Sequence, residues 1–293
     1  TDTPKNVMVA GAGLAGLEAA VTAAMAGHNV ELYDKSDDIG GQMWIAAAPP
    51  HKEELLEFLR YYRAMLTKYH INVHLNTEVD ANLMKDKNPE YLIIAEGAEP
   101  VIPPVEGTDD PSVMTSWKVL KDNPLLGKEV AVVGGGSVGL ETALFIASKG
   151  TITPETLHFL FAYEAESVDR LRELMFRGAS RVTVFEMLPK AGKDVGRSTK
   201  WVLLGELEQF GVVIHTEAKV ASIHNGILTI EKNGAEEKHH FDHVILACGS
   251  QPVQRLSHEV AGLGIPYAAV GDCIKPGKID GAIHGGFLAA LEI

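Results

Sequence analysis

The sequence is poor in cysteine and in basic residues, and both shortages exclude functions. It has 293 residues, with 26 Lys and Arg against 39 Asp and Glu, which gives a net charge of −13. Such a surface repels nucleic acid and anionic membranes, so neither is expected as a partner. The two cysteines, Cys248 and Cys273, form no C-x-x-C pair and no disulfide framework. Their scarcity favours a reducing, cytoplasmic location.

Charged residues are almost absent from the stretch VMVAGAGLAGLEAAVTAAMAG at 7–27, which raises the question of a membrane span. A span needs about 20 predominantly apolar residues, whereas this stretch includes Glu18 and is rich in Gly and Ala. Its order of residues instead predicts a short buried strand, a glycine turn and a helix that ends at Gly27. The N-terminal TDTPKN also lacks the basic region of a signal peptide. We therefore expect neither a membrane span nor a leader.

A glycine fingerprint of the form G-x-G-x-x-G occurs twice, at 11–16 and at 134–139. Each copy follows a predicted strand and precedes a predicted helix. One such motif is weak evidence, but two in this context indicate two dinucleotide-binding units. The alternative interpretation of each loop is a glycine-rich turn that only packs tightly.

The glycines have distinct expected roles in binding a pyrophosphate. Gly11 allows the tight turn, Gly13 lets the backbone approach the phosphates, and Gly16 lets the helix lie close to the strand. A carboxylate at the end of the second strand can accept hydrogen bonds from the adenosine ribose. Asp34 takes this position in the first unit and Glu186 in the second.

Glu186 also bears on the choice between NADH and NADPH. Its carboxylate would repel a 2′-phosphate, and no Arg stands at the strand end, although Lys190 and Lys193 follow closely. We therefore predict a preference for NADH.

The order of predicted elements indicates an α/β protein with two Rossmann-like, three-layer dinucleotide-binding domains, the second inserted in the first. The first domain is expected at 1–117 and 249–293, and the second at 118–248. Residues 151–179 separate the second fingerprint from its next strand and are predicted as an inserted helical hairpin. The hairpin is either a surface excursion without function or a docking surface for another domain.

Several motifs occur in an order that marks a known family. They are GAGLAGLEAA, GGQ at 40–42, IIAEGAEP at 93–100, VVGGGSVGLETA, VILACGSQP and VGDC at 270–273. The series resembles the two-dinucleotide-domain flavoproteins related to glutathione and thioredoxin reductases. The stretch GGQMWIAAAPPHKEELLEFLRYYRAML at 40–66 is similar to one branch, the C-terminal module of the old-yellow-enzyme-like multidomain reductases. That branch includes 2,4-dienoyl-CoA reductase, 2-enoate reductase and trimethylamine dehydrogenase, and the resemblance covers nearly the whole chain.

The resemblance implies an FAD site and an NADH site, with no catalytic acid or base and no metal ligand in this chain. Asp272 is expected to accept a hydrogen bond from a ribityl hydroxyl, and 95–97 and 247–249 to be the two crossovers between domains. The implied FAD residues are Gly11, Ala12, Gly13, Leu14, Ala15, Gly16, Asp34, Lys35, Gly40, Gly41, Gln42, Val79, Ala95, Glu96, Gly97, Gly249, Gly271 and Asp272. The implied NADH residues are Gly134, Gly135, Gly136, Ser137, Val138, Gly139 and Glu186.

The chain departs from the family pattern at its first crossover, where Glu96 replaces the usual threonine. A carboxylate near the FAD phosphates would weaken binding, and related proteins hold only ADP in this module, so FAD and ADP both remain open. Cys248 and Cys273 are expected to be structural, and reduction of a disulfide substrate is not expected without a C-x-x-C motif.

The resemblance further implies domains that this chain does not contain. Multidomain relatives carry an FMN-binding barrel and a 4Fe–4S cluster, and two cysteines cannot ligate such a cluster alone. The chain is then either part of a longer protein or the partner of a separate one. The expected function is hydride transfer from NADH to FAD, with electrons passing to the iron–sulfur and FMN domain that reduces an activated C=C bond. The alternatives are an independent NADH dehydrogenase that feeds a carrier such as ferredoxin, and a non-redox ADP-binding module.

Overall fold

A computed structural model describes residues 1–260 and 262–293. Contacts divide the chain into two compact units. The first contains Thr1–Ala47, His51–Glu99 and Ser250–Ile293, and the second contains Ala48–Pro50 and Pro100–Gly249. The sequence-based domain limits at 117, 118, 248 and 249 remain a prediction.

The strands, in chain order, are β1 (Asn6–Ala10), β2 (Asn29–Tyr33), β3 (Asn72–His74), β4 (Tyr91–Ile94), β5 (Ala98–Pro100), β6 (Val113–Thr115), β7 (Glu129–Val133), β8 (Arg181–Phe185), β9 (Val213–His215), β10 (Ala218–His224), β11 (Ile227–Lys232), β12 (Ala235–His240), β13 (His243–Leu246), β14 (Ser250–Pro252) and β15 (Tyr267–Ala269).

The α-helices are α1 (Leu14–Met25), α2 (Met43–Ala46), α3 (Glu57–Lys68), α4 (Ala81–Lys87), α5 (Ser116–Asp122), α6 (Ser137–Ser148), α7 (Pro154–Ala162), α8 (Val168–Phe176), α9 (Arg197–Gln209), α10 (Arg255–Val260) and α11 (Ile279–Leu291). Single 3₁₀ turns occur at Glu53–Leu56 and Gly271–Cys273.

The first unit has a parallel sheet in the order β15-β4-β1-β2-β3. Alternate residues of a strand face opposite sides of the sheet, and β1 shows this directly. Val7 and Val9 pack in a core with α1, α3 and α11, whereas Met8 and Ala10 pack in a core with α4 and α10. The sheet is therefore the middle of three layers. β14 and β5 pair in a separate two-stranded sheet.

The second unit repeats the parallel sheet, in the order β6-β13-β7-β8-β9, but its third layer differs. Val130 and Val132 face a core that includes residues of α5, α6 and α9. Ala131 and Val133 face the opposite side, where an antiparallel sheet of β10, β11 and β12 covers them. Both units are thus three-layer α/β structures, which confirms the predicted fold class.

The structure differs from the sequence-based interpretation in two local elements. The strand predicted over 71–79 is limited to β3, because Asn76 has a φ of +51°, outside the strand region. Asp80 then accepts a hydrogen bond from the Leu83 N–H and caps α4. The third antiparallel strand, β12, was not predicted. Its sequence AEEKHH is almost entirely exposed, so it carries no alternation of apolar and polar residues.

The predicted hairpin turn at Asn225 and Gly226 is confirmed, since both residues have positive φ and connect β10 to β11. Residues 151–179 hold the two helices α7 and α8. α7 has no buried residue, and Phe159 and Phe161 are exposed. None of the helices in the described residues has the length and apolarity that a membrane crossing would require.

Candidate functional site

The first glycine loop connects β1 to α1, and two of its glycines are required by the protein itself. Gly11 has a φ of +111°, and a Cβ there would lie 2.2 Å from the Ala95 carbonyl oxygen. A Cβ at Gly16 would lie 1.9 Å from the Gly11 carbonyl oxygen. The backbone at the start of α1 and after β4 is therefore packed so closely that neither position has room for a side chain, which is the arrangement of a tight turn and a closely packed helix.

Gly13 differs from Gly11 and Gly16, because packing within the protein does not exclude a side chain at this position. It has extended backbone and precedes α1, and a Cβ there would meet no described atom within 4 Å. The position faces open space at the N-terminus of a 12-residue helix whose cap makes no side-chain hydrogen bond. Backbone N–H groups and the helix dipole favour an anion at such a place. A dinucleotide pyrophosphate fits this cradle.

Asp34 lies at the end of β2 and is held by two backbone groups. Its Oδ2 accepts a hydrogen bond from the Ala12 N–H at 2.6 Å, and its Oδ1 accepts one from the Ser36 N–H at 2.7 Å. The carboxylate predicted to bind a ribose therefore also shapes the glycine loop. Lys35 beside it is exposed.

The predicted turn Gly40, Gly41 and Gln42 lies against the same loop. The Gly40 N–H donates to the Ala12 carbonyl at 2.7 Å, and a Cβ at Gly41 would lie 3.2 Å from the Gly13 Cα. The Gln42 Nε2 donates to Asp272 Oδ2 at 2.9 Å. Two predicted segments, 230 residues apart in the chain, therefore meet through one hydrogen bond.

Gly271 and Asp272 form the third segment of this first site. Gly271 has a φ of +71°, and its Cβ would approach the Ala15 side chain to 2.8 Å, so the turn packs directly on α1. Asp272 uses its second oxygen to accept from the Gly277 N–H at 2.9 Å. The carboxylate is thereby fixed at both oxygens.

Glu96, the residue that departs from the family pattern, points to α10. Its side chain is 8 % exposed, its Oε2 accepts from the Leu256 N–H at 2.9 Å, and its Oε1 lies 3.8 Å from the Arg255 Nε. Burial raises the pKa of Glu96, and the hydrogen bond and the Arg255 charge oppose that rise. Arg255 also donates to the carbonyl of Val79, a buried residue of the predicted FAD site. Glu96 is therefore compensated within its own unit.

The second glycine loop has nearly the same backbone geometry as the first. Gly134 has a φ of +108°, with a Cβ position 2.4 Å from the Ala247 carbonyl oxygen. A Cβ at Gly139 would lie 1.9 Å from the Gly134 carbonyl oxygen, the same distance as at Gly16. Val138, at the start of α6, is 41 % exposed, and Gly249 has a φ of +96° in the second crossover.

Glu186 follows β8 and takes the place of Asp34 in the second unit. Its Oε2 accepts from the Gly135 N–H at 2.7 Å and its Oε1 from the Leu188 N–H at 2.7 Å. The residue is 8 % exposed. The strand-end carboxylate that the sequence analysis singled out is thus present in the same arrangement in both units.

Sequence reasoning missed one acidic side chain in the second unit. Asp194 reaches the start of α6, where its Oδ1 accepts from the Ser137 N–H at 2.9 Å and its Oδ2 from the Ser137 hydroxyl at 2.7 Å. A spacing signal existed, because Asp194 follows Glu186 by the same eight positions by which Gln42 follows Asp34.

The cysteines lie in apolar surroundings. The Cys273 thiol donates to the Val270 carbonyl at 3.0 Å, and the Cys248 thiol to the Val133 carbonyl at 3.6 Å. Burial raises the pKa of both thiols, which disfavours the reactive thiolate. Among residues 1–260 and 262–293, no cluster of side chains could hold a metal ion.

Two parallel sheets, each with a glycine loop bonded to a strand-end carboxylate, define the class of protein with two dinucleotide-binding domains. Residues 5–270 match the family described as pyridine nucleotide-disulphide oxidoreductase. The chain belongs to this family of oxidoreductases, whose cofactors are FAD and NAD(P)H.

The curated relatives are longer proteins named as reductases or oxidases. It is 34 % identical to a metal reductase of Desulforamulus reducens, over 100 % of this chain and 44 % of the relative. It is 34 % identical to a bilirubin reductase of Mediterraneibacter gnavus and 32 % identical to an NADH oxidase of Thermoanaerobacter brockii. In both cases the match covers 99 % of this chain and 41 % of the relative. The chain thus spans less than half the length of these relatives.

A solved structure of 2-naphthoyl-CoA reductase in complex with 2-naphthoyl-CoA matches 99 % of this chain and 40 % of that one, with a TM-score of 0.84 and 28 % identity. The thioredoxin reductase of T. acidophilum shares the fold, with a TM-score of 0.67 at 18 % identity. The family match, the relatives and the 2-naphthoyl-CoA reductase structure confirm the resemblance to a module of the old-yellow-enzyme-like reductases.

Proposed function

We propose that this chain is the electron-input module of an NADH-dependent reductase, with FAD on the first loop and NADH on the second. The observation that carries the proposal is the duplicated arrangement of glycine loop, helix N-terminus and strand-end carboxylate. One such site binds one dinucleotide, so two sites in one chain fit a pair of cofactors that exchange electrons. When bound, FAD supplies the chemistry that accepts a hydride and releases electrons singly.

The residues of this chain would bind and orient the cofactors without taking part as acids or bases. In the first unit, the open position at Gly13 would admit the pyrophosphate, and Asp34 would bind the ribose. Asp272, held by Gln42, would accept a hydrogen bond from the ribityl chain. We also propose that five further residues lie near the cofactor: Val79, Ala95, Glu96, Gly97 and Gly249.

In the second unit, Gly134–Gly139 would bind the NADH pyrophosphate and Glu186 its ribose. Both Glu186 oxygens already accept backbone N–H groups, which fixes the position of the carboxylate. A fixed negative charge beside the ribose would disfavour a 2′-phosphate, so we propose NADH over NADPH. Measuring kcat/KM for both cofactors tests this, and a clear NADPH preference would overturn it.

We further propose that the electrons pass to an iron–sulfur and FMN domain on the same or a partner chain, for reduction of an activated C=C bond. The relatives that support this are longer than the present chain, and they include a cinnamate reductase of Clostridium sporogenes. We propose a cytoplasmic location on the basis of two free cysteines in a protein without disulfides among its described residues.

The absorption spectrum of the purified protein, followed by addition of NADH under anaerobic conditions, tests the central proposal. Flavin bands that bleach with NADH are expected. A colourless protein that cannot be reconstituted with FAD but binds ADP would instead identify a non-redox nucleotide module. Transfer of electrons from the reduced protein to ferredoxin alone, at full rate, would favour the independent dehydrogenase.

A further inference from the structure

The phosphate-binding end of the second loop carries a negative side chain of the protein itself. Asp194 accepts from the N–H of Ser137, the first residue of α6, at 2.9 Å and 3.1 Å through its two oxygens. It also accepts from the Ser137 hydroxyl at 2.7 Å. These are the groups that a dinucleotide phosphate requires at a helix N-terminus.

The carboxylate also covers the glycine that should face the phosphates. A Cβ built on Gly136 would lie 3.4 Å from the Asp194 Oδ1. At Gly13, the equivalent position of the first loop, no described atom lies within 4 Å of such a Cβ. The two loops therefore differ at the point where the anion binds.

The internal repeat identifies the residue that corresponds to Asp194. Gly40 donates its N–H to Ala12 at 2.7 Å, and Gly192 donates its N–H to Gly135 at 2.7 Å. Two residues further on lie Gln42 in the first unit and Asp194 in the second. The neutral Gln42 turns to Asp272, whereas the charged Asp194 turns to the helix.

The segment around Asp194 is anchored, so only its side chain needs to move. Gly192 is bonded to the loop as described, and Lys200 donates its ammonium group to the Ala191 carbonyl at 2.6 Å. Asp194 itself is exposed. Rotation of its side chain would free the Ser137 groups without rearranging the backbone.

We propose that Asp194 competes with the phosphates of NADH for the N-terminus of α6, and so lowers the affinity of the second site for its dinucleotide. The inference rests on the proposed function, since it takes this loop as the NADH site. Apparent affinity falls in proportion to the fraction of protein in which the site is open. When the oxidised nucleotide leaves, the carboxylate replaces the departing phosphate as the partner of Ser137. This arrangement suits a cosubstrate that must exchange in every turnover, whereas the first loop, without such a competitor, suits a resident cofactor.

The test measures binding of ADP-ribose, which has the pyrophosphate but no nicotinamide, by calorimetry in the presence of saturating FAD. Asp194→Asn and Asp194→Ala should each tighten binding by about tenfold, since removal of one like charge beside a phosphate has an effect of this order at an exposed site. Glu208→Gln removes an exposed charge elsewhere in the same unit and should leave the dissociation constant unchanged. The melting temperature measured without ADP-ribose should fall slightly for both Asp194 variants, because the helix loses an acidic partner at its N-terminus.

Three results would overturn the inference. If the stability falls while the dissociation constant stays the same, Asp194 is only a helix cap. If both variants bind ADP-ribose more weakly, Asp194 is a ligand of the nucleotide and not its competitor. If neither the wild type nor any variant binds ADP-ribose, the assignment of the loop to NADH fails, and the proposed function fails with it.

Discussion

The loop at Gly11–Gly16 and the loop at Gly134–Gly139 share the hydrogen bonds that shape them. In each, the second residue donates its N–H to the carboxylate at the end of the next strand, at 2.6 Å in the first unit and 2.7 Å in the second. In each, the N–H of the first glycine bonds to the last residue of that strand. The inserted hairpin accounts for the different spacing of the two copies. Gly135 follows Ala12 by 123 positions, whereas Glu186 follows Asp34 by 152. The difference of 29 positions equals the length of 151–179.

The loops differ in the side chain that follows the carboxylate by eight positions. Gln42 leaves the first helix N-terminus open and fixes Asp272, whereas Asp194 covers the second. In the proposed function, the glycine fingerprint gives each loop a place for phosphate but does not fix how tightly the phosphate is held. Asp194, which lies outside the motif, would adjust the affinity because it would compete for the same N–H groups.

The largest expected effect is on the free energy of unfolding, and it distinguishes a tightly packed glycine of the first loop, Gly16, from the open one, Gly13. Gly16→Ala should lower the free energy of unfolding by about 3 kcal/mol, because its Cβ would lie 1.9 Å from a backbone oxygen that cannot move aside. Gly139→Ala should do the same in the second unit. Urea denaturation measures the change, with Gly13→Ala as the matched control. Equal stability of Gly16→Ala and Gly13→Ala would contradict the packing role.

Gly13→Val should reverse that pattern, with stability retained and the cofactor lost. The side chain would occupy the open position at the N-terminus of α1, which the pyrophosphate needs. We expect FAD affinity to fall by about a hundredfold, or about 2.7 kcal/mol. Flavin content after dialysis gives the result, and full retention of FAD would exclude this loop as its site.

Gln42→Glu would give the first loop a charge like that of the second. The new carboxylate would face Asp272 in place of a hydrogen-bond donor, so FAD affinity should fall by about tenfold. Gln251→Glu is the matched control, because Gln251 also donates to a carboxylate, that of Glu99, at 2.8 Å in an exposed position. The two variants are compared by flavin titration, and equal losses would show that Gln42 has no special role.

The smallest expected effect concerns the crossover of the first unit. Burial raises the pKa of Glu96, so the folded protein binds this proton more tightly than the unfolded chain. The stabilisation is complete below the ordinary carboxyl pKa and is lost as pH rises through the raised value. The unfolding free energy of the wild type relative to Glu96→Gln should therefore decrease from pH 4 to pH 7, by less than about 1 kcal/mol.

Urea denaturation across this pH range checks the sign, with the exposed Glu54→Gln as control for the loss of charge. A relative stability that instead rose with pH would mean that the Arg255 and Leu256 contacts outweigh burial of the Glu96 carboxylate.

The elements that the sequence predicted well are those with a strong local pattern. The apolar runs of β1 and β7, the glycine turns and the alanine-rich α1 can be read from neighbouring residues alone. The polar β12 and the short α4 were missed, because the first is specified by pairing with β11 and the second by one capping side chain. The same holds for the candidate site: the glycines and strand-end acids could be predicted, because they occupy fixed places in the motif.

The sequence by itself determined the class of protein, two nucleotide loops with their carboxylates, because each motif lies within a short segment and its chemistry needs particular residue types. Only the tertiary structure decided which side chains meet at those loops. Ser137 and Asp194 are 57 residues apart, and Gln42 and Asp272 are 230 apart. Contacts of this range depend on how strands align and loops close, which no local periodicity records.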